Sequence, residues 1–199
     1  MTSTDSRPNQ REHILDAALR LMSAHGAAGM SMRALASECG VQVAAIYHYF
    51  ESKDALLAAV VAERRYGARL ADPLALDRDG TPEERLRMLF GLVWEGALAE
   101  EEVWRLLLGE GIRGEPAVMP VGRDLLSLLR DATREWVREI VPEVPDPDNT
   151  AEILMGQLLS GFVHYVFDSD DVDAGEVARI RADALVRAVF PVEAAAAPG

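Results

Sequence analysis

The most constraining feature of this chain is the residue pattern between Ser31 and Phe50. It predicts two short helices, over about residues 32–39 and 43–49, joined by a tight turn at Gly40 and Val41. Glycine suits such a turn because it adopts a positive φ without steric cost. The residues expected to face inward have small or aliphatic side chains: Leu35, Ala36, Val41, Ala45 and Ile46. Two helices that cross in this way fit a DNA duplex, with the second in the major groove and the first across the backbone.

The net charge of −13 lies wholly in residues 54–199. That segment carries fifteen basic and twenty-eight acidic side chains, whereas residues 1–53 carry five of each. A neutral head cannot rely on bulk attraction to phosphate, so it must place a few cations well. We therefore expect DNA binding with a modest dependence on salt concentration.

The sequence also predicts a cytoplasmic protein. No uninterrupted run of about 18 apolar residues is present, so no membrane span is expected. The amino terminus is polar and lacks the apolar core of a signal peptide. Cys39 is the single cysteine and cannot form a disulfide within the chain.

Helical periodicity and capping residues recur along the chain, while strand signals are nearly absent. We predict an all-α fold of about nine helices, the others covering about residues 9–26, 52–70, 82–99, 101–109, 121–141, 149–167 and 173–190. The expected amino-terminal caps are Ser52, Thr81, Asn149 and Asp173. Residues 109–122 are rich in glycine and proline and are expected to be irregular. The seventh helix is expected to turn these residues inward: Leu125, Leu128, Leu129, Ala132 and Trp136.

The amino-terminal pattern resembles the DNA-binding domain of the TetR family of transcriptional regulators. The residues that carry the resemblance are 14–22, His25-Gly26, Ser31-Met32-Arg33, Leu35-Ala36, Gly40-Val41, residues 46–50, Ser52-Lys53 and residues 55–57. The resemblance implies a homodimer whose paired third helices read a palindromic operator. It also implies a carboxyl-terminal domain that binds a small molecule and changes the spacing of the two reading heads.

Matching positions imply which side chains touch DNA. The residues that would face bases or nearby phosphates are Gln42, Val43, Ala44, Tyr47 and His48. The residues that would hold the DNA backbone are Ser31, Arg33, Tyr49 and Lys53. Two positions depart from the family pattern: Val43, which suggests apolar readout of a thymine methyl, and Glu51, which adds a negative charge near phosphate.

The eighth predicted helix is apolar around most of its circumference, so it needs two buried faces. One face can pack within the chain, and the eighth and ninth helices of two subunits would form a four-helix bundle about a two-fold axis. The predicted dimer interface is Leu158, Leu159, Val163, Val166, Ile180, Ala184, Leu185 and Ala188. A central place for this helix in a monomeric core is the open alternative.

Tryptophan and methionine in helices 5–8 suit an adaptable apolar cavity for a largely hydrophobic effector. The predicted pocket is Met88, Phe90, Trp94, Trp104, Leu108, Trp136, Met155 and Phe162. For each of these residues, ordinary core packing is the alternative.

No catalytic, metal or cofactor site is predicted. Residues 109–114 spell G-x-G-x-x-G, but a dinucleotide site needs this turn between a strand and a helix, and Glu110 would repel phosphate. The four histidines lack metal-ligand spacing, and no nucleophile has the sequence context of a catalytic triad.

The predicted domains are residues 1–53 for DNA binding by a helix-turn-helix, residues 54–192 for effector binding and dimerisation, and residues 193–199 as a loose tail. The favoured function is a ligand-responsive repressor, not an enzyme, released from its operator by a small hydrophobic molecule. Two alternatives stay open: a small helical enzyme or ligand carrier that does not bind DNA, and a DNA-binding regulator with a protein partner in place of a ligand.

Overall fold

The computed structural model describes residues 10–63, 79–168 and 173–191, which contain helices and no strand. The nine helices of this described part are α1 (Gln10–Gly29), α2 (Met32–Cys39), α3 (Val43–Tyr49), α4 (Lys53–Glu63), α5 (Pro82–Ala99), α6 (Glu101–Ile112), α7 (Met119–Ile140), α8 (Pro147–Asp168) and α9 (Ala174–Val189). The predicted all-α class is confirmed. The predicted tail and the continuation of α4 to residue 70 lie outside the described residues.

Three predicted helix starts are confirmed by their side-chain caps. Ser52 Oγ accepts a hydrogen bond from the N–H three residues on at 3.0 Å. Asp173 accepts from the Glu176 N–H at 2.9 Å. At the start of α5, Thr81 Oγ1 accepts from the Glu84 N–H at 3.2 Å, and the Glu84 carboxylate accepts from the Thr81 N–H at 2.8 Å. This reciprocal pair is a capping box.

The predicted start of α8 at Asn149 is wrong. The capping side chain is Asp146, whose Oδ1 accepts from the Asn149 N–H at 3.0 Å, and the helix begins at Pro147. Proline suits the first helical position, because its missing N–H would have no partner there.

The expectation of an irregular segment over residues 109–122 is also wrong at both ends. α6 continues to Ile112 and α7 begins at Met119. Glycine costs a helix less than about 1 kcal/mol per residue, which the packing of α6 along α1 offsets. Leu128, expected to face inward, is 48% exposed, whereas Leu125 and Trp136 are buried as predicted.

Contacts divide the chain into two compact units: residues 1–68 with 100–126, and residues 69–99 with 127–199. In the first unit, α1 packs against α2, α4 and α6 and buries Ile14, Leu15 and Met22. Its regular part ends at Gly26, where φ is 72°, as the sequence predicts. This grouping adds α6 to the amino-terminal helices. The division of function at residue 53 stays a prediction.

In the second unit, α9 packs against α5 and α8 around Phe90, Trp94 and Leu185. Two ion pairs join α5 to the segment after α7 and to α9. Arg85 Nη2 lies 2.6 Å from Glu143 Oε1, and the Arg87 guanidinium lies 2.8 Å from Asp183 Oδ1. Each guanidinium donates a hydrogen bond that holds the pKa of its carboxyl partner below the ordinary value.

Candidate nucleic-acid interface

The turn between α2 and α3 has the predicted geometry. Ser31 caps α2 by accepting a hydrogen bond from the Ala34 N–H at 3.1 Å. Gly40 ends α2 with φ 65° and ψ 31°, and the Val41 N–H donates to the Ala36 carbonyl at 2.9 Å. The left-handed conformation reverses the chain within two residues, so α3 starts directly against α2. The predicted helix-turn-helix is confirmed.

The predicted reading side of α3 faces solvent. Gln42, Ala44, Tyr47 and His48 are exposed, with Tyr47 at 50% of its full accessible area, while Val43 is half-buried. Ile46 on the opposite side is fully buried and anchors the helix. The helix therefore offers a row of side chains on one side while the other side is fixed in the core.

Two of the four residues assigned to the DNA backbone make close hydrogen bonds within the protein. Ser31 uses its hydroxyl as the cap of α2, and Lys53 Nζ donates to the Ala28 carbonyl at 3.0 Å. The Tyr49 hydroxyl lies 3.4 Å from Gln10 Oε1, which is long for an O–H···O bond. Arg33 is exposed and has no hydrogen-bond or ionic partner among the described residues. Their contacts with phosphate stay predictions.

Two other cations of the head are paired with carboxylates. Both terminal nitrogens of Arg11 donate to the Glu63 carboxylate, at 2.6 and 2.5 Å, and the guanidinium lies 5.3 Å from the centre of the Phe50 ring. The hydrogen bond to Glu63 raises the pKa of Arg11. Arg20 lies 3.5 Å from Glu38. Of the cations that the structure describes between residues 10 and 53, Arg11 and Arg20 are therefore paired with carboxylates.

Part of the predicted dimer face is open to solvent on α8 and α9. Leu159, Val163, Ile180 and Ala188 are exposed, and the half-buried members are Leu158, Val166 and Ala184. Leu185 is fully buried within its own chain, unlike the exposed members, and the interface as a whole stays a prediction. α9 turns that residue toward α5 and α8 instead. Phe167, left out of the predicted set, is 83% exposed at the end of α8.

Some of the predicted effector residues form an aromatic cluster in the second unit. Phe90 and Trp94 stack with ring centres 6.5 Å apart, and Tyr165 meets Trp94 edge-on at 6.3 Å. Trp136 and Phe162 are buried, whereas Met88 and Met155 are half-buried. Trp104 and Leu108 lie on α6, in the other unit, and are half-buried. Their common role in ligand binding stays a prediction.

A surface cleft of about 630 Å³ lies along α7 and the start of α8, and none of these aromatic residues lines it. Arg134 pairs there with Asp131 and Asp148, and Arg138 pairs with Asp148. All of the residues that line the cleft are charged: Asp131, Arg134, Glu135, Arg138, Glu139 and Asp148. Within the described ranges there is no metal-ligating cluster of histidine, cysteine and carboxylate side chains. In the same ranges no helix is long and apolar enough to cross a bilayer.

Comparison with known proteins identifies the family. Residues 14–60 match the family model for bacterial regulatory proteins of the tetR family. The HTH-type transcriptional regulator UidR of Escherichia coli K12 is 34% identical over 187 residues, which span 88% of this chain and 87% of UidR. The chain belongs to the TetR family. The regulator BetI of Agrobacterium fabrum is 28% identical over 159 residues, or 78% of this chain and 75% of BetI.

A solved structure shares the fold. The regulator FadR of Bacillus subtilis, in complex with stearoyl-CoA, superposes with a TM-score of 0.58 at 15% identity, covering 87% of this chain and 96% of FadR. As a TetR-family member, the protein is a DNA-binding transcriptional regulator that responds to a ligand, as the resemblance implied.

Proposed function

We propose that this TetR-family regulator is a repressor that binds an inverted-repeat operator as a homodimer and leaves it when a hydrophobic effector binds. The observation that carries the proposal is the exposed side of α3, where Tyr47 and His48 face solvent while Ile46 holds the helix from behind. A short helix fixed on one side and open on the other can enter a major groove as a unit.

Operator reading is tested with a duplex from the region upstream of the protein's own gene and with a scrambled duplex of equal composition. Tyr47→Ala should weaken binding to the upstream duplex about tenfold or more, because a direct base contact contributes roughly 1–3 kcal/mol of discrimination. Leu128→Ala, which truncates a similarly exposed apolar side chain on α7, serves as the control. Equal affinity of native protein for both duplexes would contradict operator recognition.

The charge pattern supports binding by a few well-placed contacts. Arg11, Arg20 and Lys53 each engage a group of the protein, and Arg33 is exposed without a partner in the described part of the chain. Each phosphate neutralised adds about −0.9 to the slope of log affinity against log salt for duplex DNA. A shallow slope is expected, and a slope near −10 would contradict this account.

The homodimer is proposed from the apolar surface of α8 and α9. Leu159 and Val163 on α8 and Ile180 on α9 are exposed beside the half-buried Val166. An amphipathic monomer needs one buried stripe per helix, so this second stripe fits a copy of the same chain across a two-fold axis.

Leu159→Glu should shift the protein toward monomer in analytical ultracentrifugation, because it places a charge in the proposed interface. Leu128→Glu, at a position of nearly equal exposure (48% against 54%), should leave the dimer intact. A native protein that sediments as a monomer at micromolar concentration would contradict the dimer.

The effector is proposed to be largely hydrophobic because the second unit concentrates Phe90, Trp94, Trp136 and Phe162 in its interior. The complex of FadR with stearoyl-CoA is a precedent within the shared fold for an effector with a long apolar part. Thermal-shift screening of fatty acids and acyl-CoA esters is the direct test. By linkage, a true effector binds the DNA-free protein more tightly and must weaken operator binding by the same factor.

We propose that the protein works in the cytoplasm, where chromosomal DNA is accessible, and that it regulates transcription without catalysing a reaction.

A further inference from the structure

Glu110, in the last turn of α6, is the one acidic side chain buried in the described part of the chain, with 4% exposure. A buried carboxylate needs hydrogen-bond donors, because losing its hydration is costly. Its Oε1 accepts from the Ala27 backbone N–H at 2.7 Å and from Arg113 Nη1 at 3.0 Å. Hydrogen bonds to a charged acceptor are short and strong. A side chain of α6 therefore holds the backbone at the end of α1.

Gly26 makes this contact possible. Its φ of 72° and ψ of 157° interrupt the helical path of α1, so the peptide that follows is turned out of the helical direction. A methyl group at position 26 would lie 3.4 Å from Glu110 Oε1, in addition to being strained at that φ. The break at Gly26 directs the Ala27 N–H toward the Glu110 carboxylate on α6, although 83 residues separate Ala27 from Glu110.

The same turn is held from a second side. Lys53 Nζ, at the start of α4, donates to the Ala28 carbonyl at 3.0 Å. Met30 is buried, and the next residue, Ser31, caps α2. The turn of residues 27–30 is thus fixed by α6 through an accepted hydrogen bond and by α4 through a donated one, directly before the two helices of the DNA-reading motif.

We propose that Glu110 is a positioning residue for DNA reading, which sets the orientation of α2 and α3 by fixing the turn of residues 27–30. This inference rests on the proposed operator recognition. Loss of the Glu110 acceptor removes no group that touches DNA, but it loosens the attachment of the reading helices. Sequence-specific binding then falls, while non-specific binding, which depends on phosphate contacts, is retained.

The test compares two variants of nearly equal size in the full chain. Glu110→Met keeps the length of the side chain and removes the acceptor, whereas Glu110→Gln keeps an oxygen for the Ala27 N–H. Glu102→Met and Glu102→Gln are matched controls at an exposed position of α6. Fluorescence anisotropy at one salt concentration gives the affinity for the upstream duplex and for its scrambled counterpart, and the melting temperature of each variant is measured alongside.

Glu110→Met should lower the ratio of specific to non-specific affinity about tenfold, as expected for the loss of a charge-assisted hydrogen bond with an N–H left unpaired. Glu110→Gln should lower it by about threefold or less, because a neutral acceptor remains. Both controls should match the native protein. Equal losses on both duplexes, in step with a lower melting temperature, would mean that Glu110 only stabilises the fold, and the proposal would be overturned.

Hydrogen exchange on the native protein decides the question if Glu110→Met does not fold. The Ala27 amide should exchange as slowly as the amides of the buried part of α1, because it opens only when α6 moves away. Exchange as fast as that of a solvent-exposed turn would overturn the proposal. A native protein that does not distinguish the two duplexes would refute operator recognition as well, which separates that failure from the failure of Glu110 alone.

Discussion

The turn between α2 and α3 allows a stability prediction that isolates one backbone conformation. Gly40 has a φ of 65°, and a methyl group at this position would meet no heavy atom within 4 Å among the described residues, apart from its chain neighbours. Gly40→Ala therefore introduces no steric clash and tests the left-handed conformation alone. The left-handed region costs a non-glycine residue about 1–2 kcal/mol, and the stiffer unfolded chain returns about 0.4–1 kcal/mol. The net loss of unfolding free energy should be about 1 kcal/mol.

Two matched variants test whether the loss of stability comes from the left-handed backbone conformation. Gly40→Asn should cost about half as much, because asparagine tolerates the left-handed region better than alanine does. Gly91, in the middle of α5, also has open space at its Cβ position but lacks a positive φ. Gly91→Ala should therefore stabilise the protein by about 0.5–1 kcal/mol, the usual gain in a helix interior.

Urea unfolding followed by far-UV circular dichroism, at one protein concentration for all variants, measures these differences. The midpoint should shift at constant slope, because none of the changes alters the surface exposed on unfolding. Gly40→Ala as stable as the native protein, or Gly40→Asn as costly as Gly40→Ala, would refute the assignment of the loss to backbone conformation.

Three further predictions concern packing, capping and pH. Gly161→Ala puts a methyl group 3.0 Å from Trp94 Cζ3. The resulting overpacking should lower the free energy of unfolding, measured by urea titration, by about 1–3 kcal/mol. An unchanged urea midpoint would contradict this close contact. Thr81→Ala removes the cap of α5 and should cost about 1 kcal/mol in the same assay, with Thr81→Ser nearly neutral. The pKa of Glu143 is lowered by its hydrogen bond from Arg85, so this pair stabilises the fold above the ordinary carboxyl pKa and the contribution is lost as pH falls through the lowered value. The stability difference between native protein and Arg85→Met should shrink on acidification, and a difference that grows would reverse the sign of that linkage.

The sequence predicted correctly the helices whose ends are set by residues a few positions away. The short helices around Gly40 and the capping box at Thr81 match the structure, because a cap or a left-handed turn satisfies backbone groups only a few residues away. At α8 two local signals competed. Asparagine is a common N-cap residue, so Asn149 suggests a helix start. The helix starts one turn earlier, with Asp146 as the cap and Pro147 as the first helical residue.

Features that depend on residues far apart in the sequence could not be predicted from the sequence. The glycines of residues 109–114 suggest a break, yet α6 passes through Gly109 and Gly111 because α1 packs along it. Leu185 has the spacing of an exposed stripe, but its burial depends on where α5 lies. The exposed side of α3 was predictable from one buried residue, Ile46, whereas nothing near Glu110 in the sequence indicates that its partner is the backbone of Ala27.

The internal pairing of cations in the head has a consequence for how the protein searches a chromosome. Arg11, Arg20 and Lys53 are each engaged within the protein, and Arg33 is the exception among the described residues of the head. If the proposed operator recognition holds, this pairing should make contacts with random DNA weak and brief, with little sliding along the duplex. Under that proposal the bulk of the genome would compete poorly with the operator, and a small number of copies per cell would keep it occupied.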